Sequence, residues 1–139
     1  MNVSTALRIL KDEGYKYTEK REDLVTLFAK EKRYLSARDV LNHMQESYPG
    51  MSVDTIYRNL TLFADLTILE ETEWNGEKRY RLSCSTKTHH HHLICLDCGK
   101  TRQIESCPME NIPVGDSEFE VTGHKFEVYG RCGTCQAQA

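Results

Sequence analysis

The sequence predicts an α+β chain: an N-terminal winged helix-turn-helix domain over residues 1–84, then a small C-terminal α/β domain over 85–139. Three observations carry this. Four amphipathic helical patterns follow one another from Ser4 to about residue 66, and an Asn75-Gly76 hairpin signal closes them. All six cysteines and five of the six histidines then fall from Cys84 onward. The thiol and imidazole donors are therefore concentrated from Cys84 onward, with the polar Ser85–Thr88 as hinge.

Each element has its own signal. Ser4 is a helix cap for Leu7 and Leu10, and Gly14 is the stop. Thr18 opens a second helix with Leu24, Val25, Leu27 and Phe28 as its apolar side. Ser36 caps a third, residues 37–48, which the turn at 49–51 ends. Ser52 caps a fourth, residues 52–66, where Val53, Ile56, Leu60 and Phe63 keep helical spacing and Asp54 suits the helix dipole. Asn-Gly between Ile68–Trp74 and Glu77–Leu82 predicts a two-residue hairpin. Helices closed by such a hairpin make a winged helix, with the third and fourth as the helix-turn-helix proper.

Bulk properties narrow the class. The chain has 139 residues and a net charge of −3, so it is no basic coat for a polyanion. No apolar run of about 18 residues or more is present, which predicts no membrane span. The start, "MNVSTALRILKDEG", lacks the pattern of a signal peptide. Cysteines in such a chain point to a reducing cytoplasm, where thiols serve as ligands or redox groups.

The polar positions of the fourth helix favour DNA over a plain helical interaction module. Thr55, Tyr57, Arg58, Asn59 and Thr61 can meet phosphates, base edges or thymine methyls. Any affinity must come from local cations such as Lys16, Lys20, Arg21, Lys78 and Arg79, because total charge supplies none.

"CLDC" (Cys95, Cys98) and "CGTC" (Cys132, Cys135) supply four soft thiolates, the donor set of closed tetrahedral structural zinc. No thioredoxin-like βαβ pattern surrounds either pair, so a redox role is the weaker reading. Gly99 and Gly133 let the backbone turn so that amides approach sulfur.

Between hinge and first pair stands "HHHH", His89–His92, running into the β-prone "LIC". If residues 89–95 form a strand, side chains alternate: His89 and His91 face one way, His90 and His92 the other. Each pair can then hold a different metal ion. Cys84 is a thiolate for one pair, and His124 an imidazole for the other. Glu70 and Glu110 are carboxylate candidates that spacing does not decide between. Cys107 is left over; a small buried thiol is its simplest role, and an accessory ligand or reactive group the alternative.

Taken together, "YKYTEKRE", "SVDTIYRNL", "HHHHLICLDCGK" and "GHKFEVYGRCGTC" resemble the ferric-uptake-regulator (Fur) family of metal-dependent repressors over essentially the whole chain. The resemblance implies a homodimer on double-stranded operator DNA, with residues 85–139 as a zinc-binding dimerisation domain. It implies that Tyr57 and Arg58 meet DNA, with Arg21 or Lys20 near phosphates and Thr55 and Asn59 on the same helix. Within the family the details are most similar to zinc-uptake repressors. That likeness implies a sensing site of Cys84, His90, His92 and Glu70, and a second exchangeable site of His89, His91, Glu110 and His124. With the structural zinc at Cys95, Cys98, Cys132 and Cys135, it implies two or three zinc ions per chain. The regulated genes would be zinc importers.

Three departures bear on this. Tyr34 stands where iron and peroxide sensors usually carry histidine, and Gln103 about where they carry a carboxylate; replacing hard donors by a thiolate moves preference toward zinc. Thr67 replaces the usual glycine after the recognition helix, and a β-branched residue resists a left-handed cap, which predicts a different helix end. Pro108, Pro113 and Gly115 leave room for only a short helix around Glu110. The rival readings are an iron, manganese or peroxide sensor, a zinc hydrolase and a zinc store. A hydrolase needs an open metal position and a general base, and no HExxH-type arrangement is present; a store needs no recognition helix. The sequence thus predicts a regulator, not an enzyme.

Overall fold

The computed structural model describes residues 1–84, 90–104, 106–111 and 115–138, without the side chains of 110 and 111. The chain divides into two compact units, Met1–Ser85 and Thr86–Ala139.

The first unit opens with α1, Val3–Asp12, capped by Asn2, whose side chain accepts from the Thr5 amide. Ser4 was the expected cap; Asn2 starts the helix two residues earlier because its carbonyl oxygen reaches a free first-turn N–H. Thr18 caps α2, Glu19–Glu31, as the sequence predicts. A two-residue strand β1, Leu35–Ser36, leads into α3, Ala37–Met44, where Ser36 and Asp39 form a reciprocal capping box. This helix stops short of residue 48, since Pro49 disfavours helical backbone at Tyr48. The Tyr48 hydroxyl donates to Asp23 Oδ2 at 2.6 Å, tying the segment after α3 to α2. Ser52 caps α4, Val53–Asp65.

The end of α4 corrects the expectation at Thr67. Its φ is +58°, so the β-branched residue does take the left-handed conformation. The Ile68 amide donates to Phe63 O at 2.9 Å and the Thr67 amide to Ala64 O at 3.0 Å, the paired bonds of a Schellman cap. The hydroxyl of Ser83 anchors Thr67 O at 2.6 Å. With the Ile68 amide spent on that cap, β2 begins at Leu69 and runs to Trp74, and β3 follows as Glu77–Leu82. Asn75 and Gly76 have φ of +54° and +72°, as a type I′ turn requires. The sheet order is β1-β3-β2, all antiparallel.

One core holds this unit together. Leu24, Val25 and Phe28 of α2 meet Val40 of α3, Ile56, Leu60 and Phe63 of α4, and Ile68; each is fully buried. Side chains of this size contribute about 1.5–3 kcal/mol apiece on burial. The wing is fixed separately: Trp74 lies edge-on to Tyr34 at 5.8 Å, and the Arg79 guanidinium stacks over it at 4.4 Å.

The second unit is a three-stranded sheet of order β5-β4-β6. Strand β4, His91–Cys95, is central, antiparallel to β5, Thr101–Ile104, and parallel to β6, Glu127–Gly130. It starts at His91 because its register begins at His91 opposite Ile104, where β5 ends. A short 3-10 turn, Pro108–Asn111, interrupts the connection, and α5, Gly133–Ala137, follows β6. No helix among the described residues is long and apolar enough to cross a membrane.

Candidate metal centres and nucleic-acid face

The four-thiol group grows out of two tight backbone turns. Cys95 ends β4, and the chain reverses through residues 96–99, with Gly99 at φ +78° donating its amide to Cys95 O at 2.9 Å. That φ favours glycine at this position. Cys132 caps the N-terminus of α5, and Cys135 lies within its first turn. The Leu96 amide bonds Gly130 O at 2.9 Å, and the Cys132 amide donates to Cys95 Sγ at 3.3 Å. Arg131 locks the two turns, its Nε meeting Asp97 Oδ2 at 2.6 Å and its Nη2 Cys135 O at 3.3 Å.

All four sulfurs lie within 4.8 Å of one another. The Cys95–Cys135 and Cys98–Cys132 pairs are each 3.8 Å apart, and none of the four is in a disulfide. A disulfide needs about 2.05 Å. A tetrahedral cation with bonds of about 2.3 Å separates its sulfurs by about 3.8 Å. The spacing fits the second case. Protonation reports the same tension: burial pushes Cys95 up, but amides of Cys132, Cys98 and Asp97 outweigh it and bring the thiol down to about 6. Cys135, bonded to the Cys132 sulfur, goes up to about 12. Four thiolates cannot ionise together at such distances without a cation among them.

Among the described histidines, His90 and His92 group apart from His91. The His90 and His92 rings meet edge to face at 4.9 Å. His91, only 6% exposed, turns instead to His124, Nε2 to Nε2 at 3.0 Å, with Phe126 against its ring at 5.6 Å. Cys107, half-buried, completes that cluster, its Sγ 3.4 Å from both Nε2 atoms. The sequence reading gave Cys107 no firm ligand role; its only signal was being a cysteine among histidines. His89 and the side chain of Glu110 lie outside the described residues.

In the first unit, Glu70 and Arg81 are cross-strand partners, with Arg81 Nη1 to Glu70 Oε2 at 3.3 Å. The same Nη1 donates to Cys84 Sγ at 3.0 Å, and the Cys84 amide reaches Glu70 Oε1 at 3.5 Å. Glu70 and Cys84 thus sit around one guanidinium whose side chain is 12% exposed. Burial alone would lower the Arg81 pKa, but Cys84 and Glu70 more than reverse that and leave it raised.

On α4, Tyr57 is 44% exposed and Arg58 is exposed. Asn59 is not free in the same way: its Oδ1 accepts from Arg21 Nε at 3.3 Å and its Nδ2 donates to Thr55 O at 3.0 Å. Arg21 also donates to Lys16 O at 2.7 Å. Thr55 is half-buried beside Ser52, Oγ to Oγ at 3.1 Å, and Lys20 lies over the Tyr48 ring at 5.6 Å. In the wing, Lys78 pairs with Glu71 at 3.4 Å and Arg79 with Glu77 at 3.2 Å.

Comparison with known proteins agrees with this architecture. Residues 12–129 match the profile of the Ferric uptake regulator family. The chain is 48% identical over 139 residues to a ferric uptake regulation protein of Staphylococcus epidermidis, covering 100% of this chain and 99% of that one. Among solved structures, a zinc uptake regulator complexed with zinc and DNA superposes with a TM-score of 0.73 at 22% identity, covering 98% and 93% of the two chains. The Helicobacter pylori ferric uptake regulator superposes with 0.70 at 21% identity, covering 98% and 95%.

Proposed function

The chain belongs to the Ferric uptake regulator family, and from that premise we propose that it is a zinc-responsive transcriptional repressor, binding operator DNA as a zinc-loaded homodimer and controlling zinc-uptake genes. Members of this family are metal-responsive transcription regulators and not enzymes. Residues 1–84 are the DNA-binding domain and 85–139 the dimerisation domain.

The observation that carries the zinc reading is the thiolate candidate Cys84 beside Glu70, both drawn to Arg81. Thiolate and imidazole donors favour zinc over iron(II) or manganese. The candidates for the sensing site are Cys84, Glu70, His90 and His92. Zinc held by these donors shifts the population toward the DNA-binding arrangement. The structural zinc belongs to Cys95, Cys98, Cys132 and Cys135, and a second exchangeable site to the His91–His124 side of β4, with His89 and Glu110 as further candidates.

DNA contact rests on Tyr57 and Arg58, with Lys20 and Arg21 toward phosphates. Arg21 also buttresses α4 through Asn59, so Asn59 and Thr55 orient the helix as much as they read bases. A second copy of the chain fits the sheet: Leu93 and Val128 are register partners, 43% and 39% exposed, and present apolar surface on one face.

A second reading, an iron-responsive regulator, is favoured by the 48% identity to a ferric uptake regulation protein. A gel shift on the chain's own upstream DNA with zinc, iron(II), manganese(II) or chelator separates the two. Zinc should support binding at the lowest free metal concentration. Binding with iron(II) and none with zinc would overturn the zinc reading.

A further inference from the structure

Cys107 belongs neither to the four-thiol group nor to the sensing set. Its sulfur closes a triangle with His91 and His124, with edges of 3.0, 3.4 and 3.4 Å. The three residues come from separate places: β4, the segment before the 3-10 turn, and the loop leading to β6. Ordinary hydrogen bonding does not satisfy the triangle. A ring nitrogen of neutral imidazole is either donor or acceptor, never both. Closing all three edges would need one nitrogen lone pair to take two protons. A cation at the centre uses all three lone pairs together. A tetrahedral ion with bonds of about 2.0–2.1 Å to nitrogen and 2.3 Å to sulfur separates such donors by about 3.3–3.6 Å, within a few tenths of an ångström of the edges found here.

We propose that His91, Cys107 and His124 form a thiolate-containing metal site for a soft divalent cation such as zinc, the fourth position falling to water or another side chain. This deepens the second exchangeable site and rests on that assignment for its location. It changes the chemistry. A thiolate stands where a carboxylate, Glu110, was the expected further donor, which moves the site away from iron(II) and manganese. His91 is buried and oriented by Phe126, whereas His124 is exposed, so metal enters and leaves on the His124 side.

Cobalt(II) is the probe, because thiolate ligation gives it a near-ultraviolet charge-transfer band that imidazole and carboxylate do not. The full-length protein carries Cys84→Ser, to remove the other thiol outside the four-thiol group, and keeps zinc at that group. Titration should produce the charge-transfer band together with intense tetrahedral visible bands, and adding Cys107→Ser should remove the former. A cobalt spectrum without the band, or a band that survives Cys107→Ser, overturns the proposal. If Cys107→Ser does not fold, His124→Ala is read in its place; it should lose the tetrahedral spectrum with the circular dichroism unchanged, and retention of that spectrum overturns the proposal equally. The readout is spectroscopic, so failure of the zinc-repressor reading would show in operator binding and leave this result standing.

Discussion

The four-thiol group and the His91–Cys107–His124 cluster lie in one unit and differ in how their donors are delivered. The thiols arrive as two local pairs, each fixed by its own turn: Gly99 at φ +78° for one, the first turn of α5 for the other. The cluster takes single residues from three stretches of chain, 16 and 33 residues from His91. Local pairs are preorganised by backbone hydrogen bonds, which suits the folding role proposed for that site. Donors gathered from separate stretches can part again, which suits the exchange proposed for the cluster.

The hardest test of that contrast removes a thiol from the paired group. Cys95→Ser or Cys132→Ser should leave residues 85–139 unfolded or the protein monomeric, because zinc in such centres contributes roughly 10–16 kcal/mol of apparent binding energy to folding. Sedimentation together with zinc analysis checks this. A dimeric Cys95→Ser protein with full zinc content would end the structural assignment. Cys84→Ser, outside both groups, should abolish zinc-dependent operator binding while leaving dimer and structural zinc intact; operator titration beside the same sedimentation run distinguishes the two.

Smaller effects are expected in the winged helix. Arg58→Ala should weaken specific operator binding by roughly 1–3 kcal/mol if the side chain reads a base. If it meets only phosphate, binding to all sequences should fall alike and the salt slope flatten. Asn59→Ala should show chiefly as lost stability, about 1 kcal/mol per hydrogen bond broken, in chemical denaturation. Thr67→Gly should raise stability by about 0.5–1 kcal/mol, relieving a left-handed β-branched residue; an unchanged or lowered denaturation midpoint would mean that the Thr67 cap holds no strain.

The same distinction explains how much could be read from sequence. Thr18, Ser36 and Ser52 announce their helices because a cap acts within three residues, and Asn75-Gly76 announces its hairpin because the turn is its own requirement. The parallel pairing of β6 with β4 has no local signal, nor does α5, five residues long. The cysteine pairs were legible by spacing. Strand period sorted His90 and His92 from His91, since alternation is a property of the backbone. Cys107 was not assigned, because its neighbours are set by the path of a loop. Thr67 misled for the opposite reason: local preference argued against the left-handed conformation, and the Schellman bonds with the Ser83 anchor overrode it.

The central claim is that the chain entering and forming β4 sorts His90 and His92 from His91, for two sites with different work. Operator binding titrated against buffered free zinc, for His90→Ala beside His124→Ala, tests it most directly. The account predicts that His90→Ala abolishes zinc-dependent binding, whereas His124→Ala only shifts the zinc concentration for half-maximal binding. The same defect in both proteins would contradict it and make the histidines a single shared ligand bank.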